Sequence, residues 1–320
     1  MLASEIMASI PSSYDKGLAS GSLFFFPSTV EFEIRLCPAL QKKPKLPTPH
    51  FGGGVVEPVL EPASKVDPFA PPYDPGLYVG DLDEDYVVLL NKYSVLPRHF
   101  LLITKEFQSQ TSPLMPDDLL QAYSLLVAAK KAGRRMFAFY NCGKFSRLLL
   151  NRLLGTYLVP GTCSESLAHS VSLESPGKPF AINSLPYANH VFRFPRNLPS
   201  QSPEDREPIL ANAFLSLFDL VVSTIRHEPN YPAGMPSYNV ILTLEHLHLI
   251  PRRTENHLLQ ETKENLAVNS LGYAGMLLVK SDREMEAVKK EGVGKILRSV
   301  ALESVHEILV NGEMDVNPML

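Results

Sequence analysis

Met136-Phe137-Ala138-Phe139-Tyr140-Asn141-Cys142-Gly143 decides how this chain is read. Its first five residues are apolar and aromatic over a strand's length, and such side chains suit a pleated, half-buried surface. Asn141, Cys142 and Gly143 then supply residue types suited to a sharp turn. Beyond that turn the order stops. Lys144 to Ser170 carries runs of Leu and scattered Arg without strand-like alternation. A chemical centre is expected where such a strand ends, so whether the chain is an enzyme depends on how the gap after Gly143 is understood.

Upstream, Asp85–Leu90 and His99–Thr104 are predicted as strands joined by the segment Asn91 to Arg98. Pro116–Lys131 is predicted as a helix. Pro116 suits a first turn, Asp117 and Asp118 complement the positive end of the dipole, Lys130 and Lys131 the negative end, and Gly133 the C-terminal cap. Downstream, Pro186 to Phe194 restores strand-like order. The polar stretch from Pro195 to Pro208 marks a boundary, giving an N-terminal domain of residues 1–195, disrupted at 144–178, and a C-terminal domain of residues 196–320. The second opens with a helix over Asp205–His227 and continues with paired strands at Tyr238–Thr243 and Glu245–Ile250. A strand at Tyr273–Val279 follows, then a helix announced by Ser281-Asp282-Arg283-Glu284, which has capping-box spacing. Each half thus offers paired strands, a further strand and a helix, a weak pseudo-repeat. The first 77 residues are rich in Pro and Gly, with one charged strand candidate at Val30–Leu36 and a long loop from Pro44 to Pro75.

At 320 residues the chain holds one large domain or two ordinary ones. Hydrophobic content of 45% with 20% charged residues fits a folded chain. A net charge of −4 gives no general attraction to nucleic acid or to an anionic membrane, so any phosphate binding must come from a local site. Cys37, Cys142 and Cys163 are widely spaced, form no metal-ligand pair and suit a reducing compartment. Glu5 interrupts the N-terminus, Leu23-Phe24-Phe25-Phe26 is too short for a signal peptide, and no run of 18 apolar residues exists. The expected location is the cytosol, with the nucleus open.

Phosphate chemistry on a nucleotide needs cations or N–H donors aimed at phosphate oxygens and, for covalent transfer, an oriented nucleophile. The candidate donors are Lys42, Lys43, Lys45, Asn91, Lys92, Asn141, Asn269 and Lys280. Each has a bland alternative. The lysines at 42 to 45 read as a solvated charge run, and Asn91 as a turn residue serving the backbone. His190, His227 and His306 read as packing or capping residues. No His, Cys and carboxylate spacing suggests a metal, and Gly52-Gly53-Gly54 lacks the strand-to-helix context of a phosphate loop.

Several ordered blocks resemble one family. They are Phe32 to Pro44, Val88 to Lys92 with His99 to Lys105, Phe137 to Gly143, Pro236 to Thr243, Asn269 to Gly275, Gly292 to Ser299 and Glu303 to Glu307. Together they resemble the fungal-type ATP adenylyltransferases, or diadenosine tetraphosphate phosphorylases, within the histidine-triad group that includes galactose-1-phosphate uridylyltransferase. The resemblance implies an α+β fold of two pseudo-repeated halves around mainly antiparallel sheet. It implies phosphorolysis of diadenosine tetraphosphate to ADP and ATP through a covalent adenylyl-histidine. It places Lys43, Asn91, Lys92 and Asn141 of the first half, and Asn269, Gly272 and Lys280 of the second, on the nucleotide or its phosphates. The implied partners are adenine nucleotides and phosphate. No cofactor of the chain's own is implied, and a divalent cation is compatible with the nucleotide.

In that family a Ser-Gly-Ala-Ser segment and a His-x-His-x-Gln strand follow the Phe-Tyr-Asn-x-Gly strand, and the second His is the nucleophile. Here Ser146 is followed by Arg147, and no His occurs between Gly143 and His169. The flanks are intact while the exchange is abrupt, which reads as an alternative exon or shifted frame, the other reading being a divergent loop in a non-catalytic nucleotide-binding paralogue that lacks the nucleophile. Neutral imidazole is nucleophilic near pH 7, so its loss leaves a chain expected to bind adenine nucleotides weakly or not at all and to form no adenylyl-histidine. Leu244-Glu245-His246-Leu247-His248 offers a weak alternative, with His246 at the nucleophile position and His248 two residues on, on the same strand face. The blander reading makes this the matching strand of the pseudo-repeat. The run from Leu148 to Leu158 is expected to leave the ladder groups of neighbouring strands unpaired.

Overall fold

Strand alternation sends every second side chain of the aromatic stretch to the same face, and in a computed structural model of the chain that stretch becomes β6 (Met136–Cys142), near the middle of an eight-stranded sheet. Residues 1–22, 30–31, 34–37, 69–108, 112–143, 154–157, 163–173 and 177–304 are described. The sheet runs in the order β3 (Tyr78–Leu82), β4 (Tyr86–Leu90), β5 (Phe100–Thr104), β7 (Leu154–Tyr157), β6, β9 (Tyr238–Leu242), β10 (His246–Pro251) and β8 (His190–Arg193). Its neighbouring strands all pair antiparallel. β6 and β9 form the seam between the halves. Asn141 lies directly opposite Asn239, and each follows a Tyr. Outward from this seam, β7 and β10 hold matching positions on the two sides.

One face of the sheet is covered by α1 (Ala3–Ala19), α2 (Pro116–Lys131) and α4 (Pro203–Arg226). Ile6, Ile10, Tyr123, Leu126, Leu217 and Val221 from these helices share a core with Val88, Leu102, Ala138, Val240 and Leu249 of the sheet. The other face packs Phe137, Phe139, Ile241 and Ile250 against α5 (Ser270–Tyr273), β13 (Leu277–Val279), α6 (Asp282–Glu291) and α7 (Val293–Val300). There β2 (Ile34–Leu36) lies between β1 (Val30–Glu31) and β13, parallel to β13. β11 (Asn256–Leu258) and β12 (Asn265–Ala267) form a separate hairpin, and α3 (Cys163–Ser170) precedes β8. α4 is long and apolar enough to cross a membrane by length and composition alone; here its buried face packs on the sheet.

Local chemistry explains the boundaries. α2 spans the predicted residues. Asp118 accepts from the Met115 N–H at 2.7 Å and from the Tyr86 hydroxyl at 3.0 Å, tying the first turn to β4. At its other end Gly133 takes a φ of +70°, and the Arg134 and Gly133 N–H groups bond the Ala129 and Lys130 carbonyls, a Schellman closure. In α6 the Ser281 hydroxyl accepts from the Glu284 N–H, while the Glu284 carboxylate turns to the Lys280 N–H rather than completing the box on Ser281.

Three expectations are corrected. The N-terminal region, read as Pro- and Gly-rich and largely irregular, opens with the 17-residue helix α1. Pro11 deprives the Met7 carbonyl of its i+4 donor, and the Arg134 guanidinium supplies one at 2.8 Å. Tyr273–Val279 is not a continuous strand: Asn269 caps a helical turn over Ser270–Tyr273, and only Leu277–Val279 is extended. The Leu148–Leu158 run does not leave its described neighbours without a strand. Leu154–Tyr157 pairs with Met136–Phe139 on one side and Phe100–Leu101 on the other. Ladder bonds are made by backbone groups, so an exchanged sequence still closes a sheet where its backbone can extend.

Candidate functional site

The seam creates a polar site on the face away from α1, α2 and α4. Directly opposed residues of antiparallel strands share a face, so Asn141 and Asn239 stand side by side. α5 packs over them. The Ser270 N–H donates to Asn141 Oδ1 at 2.9 Å, and Ser270 Oγ lies 2.8 Å from the same oxygen. A backbone N–H can only donate, so the Asn141 amide orientation is forced by its partner. Its Nδ2 is turned the other way, without a hydrogen bond among the described residues. The second half of the chain thus orients a side chain of the first.

The end of β6 needs its glycine. Gly143 has a φ of +136°, and a Cβ there would stand 2.2 Å from Ser237 Oγ and 3.0 Å from Ser237 Cα. The left-handed region and the close approach of β9 both exclude a larger residue. Asn269 caps α5 through its side-chain oxygen, which accepts from the Leu271 N–H at 3.0 Å. Gly272 lets α5 settle on Val268, Leu277 and Leu297, each within 3.4 Å of where its Cβ would be.

The other site candidates lie farther out. Asn91 follows β4, on the far side of β5 and β7 from β6, and its Oδ1 accepts from the Tyr93 N–H at 2.9 Å, the backbone role of a turn residue. Lys92 is exposed. Lys280 follows β13, its ammonium 3.6 Å from the Glu284 carboxylate. Cys37, at the end of β2, donates its N–H to the Val279 carbonyl at 2.7 Å, so the chain leaves β2 beside Lys280. Lys42, Lys43, Lys45 and His306 lie outside the described residues. Asn141, Asn269 and Gly272 are brought together; Lys92 is not brought to them.

His246 and His248 occupy a second polar cluster on the same face. In register, His246 opposes Arg193 and His248 opposes Val191 of β8. Glu165 reaches across from α3, with its oxygens 2.9 Å from His246 Nδ1 and 3.3 Å from His248 Nε2. The Thr243 hydroxyl adds a bond of 2.9 Å to the same carboxylate. Arg193 Nε donates to His246 Nε2 at 3.0 Å, so that nitrogen is the acceptor and Nδ1 carries the proton given to Glu165. Burial alone would raise the Glu165 carboxyl; hydrogen bonds from His246 and His248 outweigh it and hold the group well below the usual carboxylate range.

Ligand atoms of Glu165, His246 and His248 lie within 4.8 Å of one another, close enough to hold a metal ion. Coordination through His246 Nδ1 would leave a proton on Nε2 facing the Arg193 N–H, so hydrogen bonds complete the cluster as it stands. His246 is fully buried with both ring nitrogens engaged. Arg193 also bonds the Ala168 and Val171 carbonyls. The cluster therefore seats α3 on the sheet. His190 and His227 take local roles, on Thr224 and on the Ser223 carbonyl.

Sequence reading missed Ser270, Glu165 and Arg252. Ser270 sits inside a matched block, and the repeated Tyr-Asn at 140–141 and 238–239 was the available sign that two strands meet there. Glu165 has no sign at all, since it lies 81 residues from His246.

Comparison with known proteins separates the same two parts. Residues 22–147 match the profile of the Ap4A phosphorylase N-terminal domain, and residues 183–303 that of the ATP adenylyltransferase C-terminal domain. The interval 148–182, which contains β7 and α3, lies between the two. Diadenosine 5',5'''-P1,P4-tetraphosphate phosphorylase 2 of Saccharomyces cerevisiae is 30% identical over 243 residues, covering 70% of this chain and 72% of that protein. Protein APA1 of the same yeast is 32% identical over 224 residues, 66% of this chain and 67% of its own. The crystal structure of yeast Ap4A phosphorylase Apa2 in complex with AMP superposes with a TM-score of 0.73 at 25% identity, over 95% of this chain and 98% of that one. The Apa2 complex with Ap4A gives 0.72 over 95% and 99%. The chain belongs to the Ap4A phosphorylase family of nucleotidyltransferases.

Proposed function

We propose that this chain binds diadenosine tetraphosphate and related adenine nucleotides at the β6–β9 seam, and that the covalent step of phosphorolysis is closed in it. The family activity is conversion of diadenosine tetraphosphate and phosphate to ADP and ATP, and the relatives include structures solved with Ap4A and with AMP. One observation carries the binding half: Asn141 Oδ1 is held by Ser270, and its amide N–H groups have no hydrogen bond among the described residues. That is a donor fixed before the ligand arrives, which lowers the ordering cost of binding.

The catalytic half rests on β7. This strand lies between β5 and β6, and Leu154-Gly155-Thr156-Tyr157 carries no imidazole. His246 does not replace it, because Arg193 and Glu165 hold both of its ring nitrogens in a sealed position. Loss of a covalent nucleophile lowers turnover by roughly 10⁴ to 10⁶ when the remaining groups only position substrate. The buried thiols of Cys37 and Cys142 support a reducing compartment such as the cytosol.

Calorimetric titration with diadenosine tetraphosphate and with AMP tests the binding half. A single saturable site is expected, weakened about tenfold in Asn141→Ala, the size of one lost hydrogen bond. Absence of binding, or unchanged affinity in the variant, overturns it.

A further inference from the structure

Arg252, at the end of β10, is fully buried, and among the described residues no carboxylate pairs with it. One guanidinium nitrogen, Nη2, donates to the Cys142 carbonyl at 3.0 Å. The Nε and Nη1 nitrogens have no partner among the described residues, which leaves three N–H donors unused there on an always-charged group. Two further buried donors nearby are equally unused. Asn239 Nδ2 is one. It lies opposite Ile250, two residues from Arg252 on the same strand face, and the Arg252 N–H itself bonds the Ser237 carbonyl. The Tyr273 hydroxyl is the other. Burial pushes Tyr273 far above the usual phenol range, and the nearby Arg252 charge acts to lower it.

A buried charge with no counter-charge is among the more destabilising arrangements a protein can hold, at several kcal/mol. Ordered water would satisfy the N–H groups and leave the charge uncompensated. An anion does both. We propose that Arg252, Asn239 and Tyr273 form a phosphate seat at the Cys142–Gly143 end of β6, next to Asn141, and that its ligand is inorganic phosphate. Three guanidinium N–H groups, the Asn239 amide and the Tyr273 hydroxyl are unused buried donors of this region among the described residues, of the types that bind a multiply charged oxyanion. Only the assignment of this phosphate as the second substrate of phosphorolysis rests on the nucleotide reading above. Arg252, Asn239 and Tyr273 are all buried, so filling the seat requires local opening of the structure.

The test is thermal unfolding of the full chain in inorganic phosphate against chloride at matched ionic strength. A saturable rise of about 5 °C is expected at phosphate a hundredfold above its dissociation constant. Tyr273→Phe, which keeps the ring and removes one donor, should need several-fold more phosphate for the same rise. Arg252→Met should lose the rise altogether while remaining as stable as the parent without phosphate, because it removes an uncompensated charge. A full rise retained in Arg252→Met would show that phosphate binds elsewhere and would overturn the assignment. No phosphate-specific rise in the parent, meaning water alone fills the seat, overturns it as well, as does an unaltered rise in Tyr273→Phe. Failure of dinucleotide binding with the phosphate rise intact removes only the nucleotide reading.

Discussion

Asn141 and Ser270 lie 129 positions apart, yet one hydroxyl and one N–H of Ser270 decide where the Asn141 amide points. Ser270→Ala keeps the backbone bond and removes the hydroxyl. AMP affinity measured by calorimetry should fall about fivefold, the effect of one neutral hydrogen bond of about 1 kcal/mol; unchanged affinity would mean that Ser270 Oγ has no part in orienting the amide. His190 reports on a different balance. Burial pushes its imidazole down to about 4, and Thr224 Oγ1, whose own proton goes to the Leu220 carbonyl, accepts from its Nε2. Its unfolded value is about 6.5, so between these values the unfolded chain binds more protons. The His190 contribution is fully present above pH 6.5 and falls as pH drops toward 4. The loss amounts to about 3 kcal/mol, and urea titrations from pH 7 to pH 4 should show it. In His190→Gln that segment of the pH dependence should flatten; an unchanged slope would assign it elsewhere.

Among the elements, α1 depends on an outside donor. Arg134→Ala leaves the Met7 carbonyl without one and should destabilise the chain by about 1–2 kcal/mol in urea. Pro11→Ala restores an N–H within the helix, so the loss from Arg134→Ala should shrink markedly in that background. Additive effects would contradict the pairing. Helix α2 and strands β4, β5, β9 and β10 were legible because periodicity, capping and turn residues agreed along their lengths. α1 escaped because Pro11 and Gly17 obscured the buried row Ile6, Met7, Ile10 and Tyr14. α5 escaped because a side-chain cap on Asn269 overrides the apolar run that follows it. β7 escaped because nothing in Leu154-Gly155-Thr156-Tyr157 alternates, while its pairing is made by backbone alone. Amide exchange in Leu154–Tyr157 should therefore be slowed relative to exposed loops; random-coil rates would return the segment to an unpaired state.

At the scale of the whole molecule, the two halves are not independent carriers of the site. The Asn141 side chain comes from the first, its orienting Ser270 from the second, and the sheet continues across both through β6 and β9. The part of the site legible in the sequence was local: Asn141 at a strand end, and Asn269 and Gly272 in one short block. The part that was not legible is long-range, since Glu165, Ser270 and Arg252 acquire meaning only once the strands are paired. On the proposed function, this seam still receives the dinucleotide while the strand beside it has lost the nucleophile. Incubation with diadenosine tetraphosphate labelled at the phosphates next to adenosine, with each sample split between native filtration and denaturing precipitation, examines both halves at once. The expected result is saturable label on the native protein that is fully released on denaturation. Label absent from the native filter, or label that survives denaturation and is lost on mild acid treatment, would contradict the account.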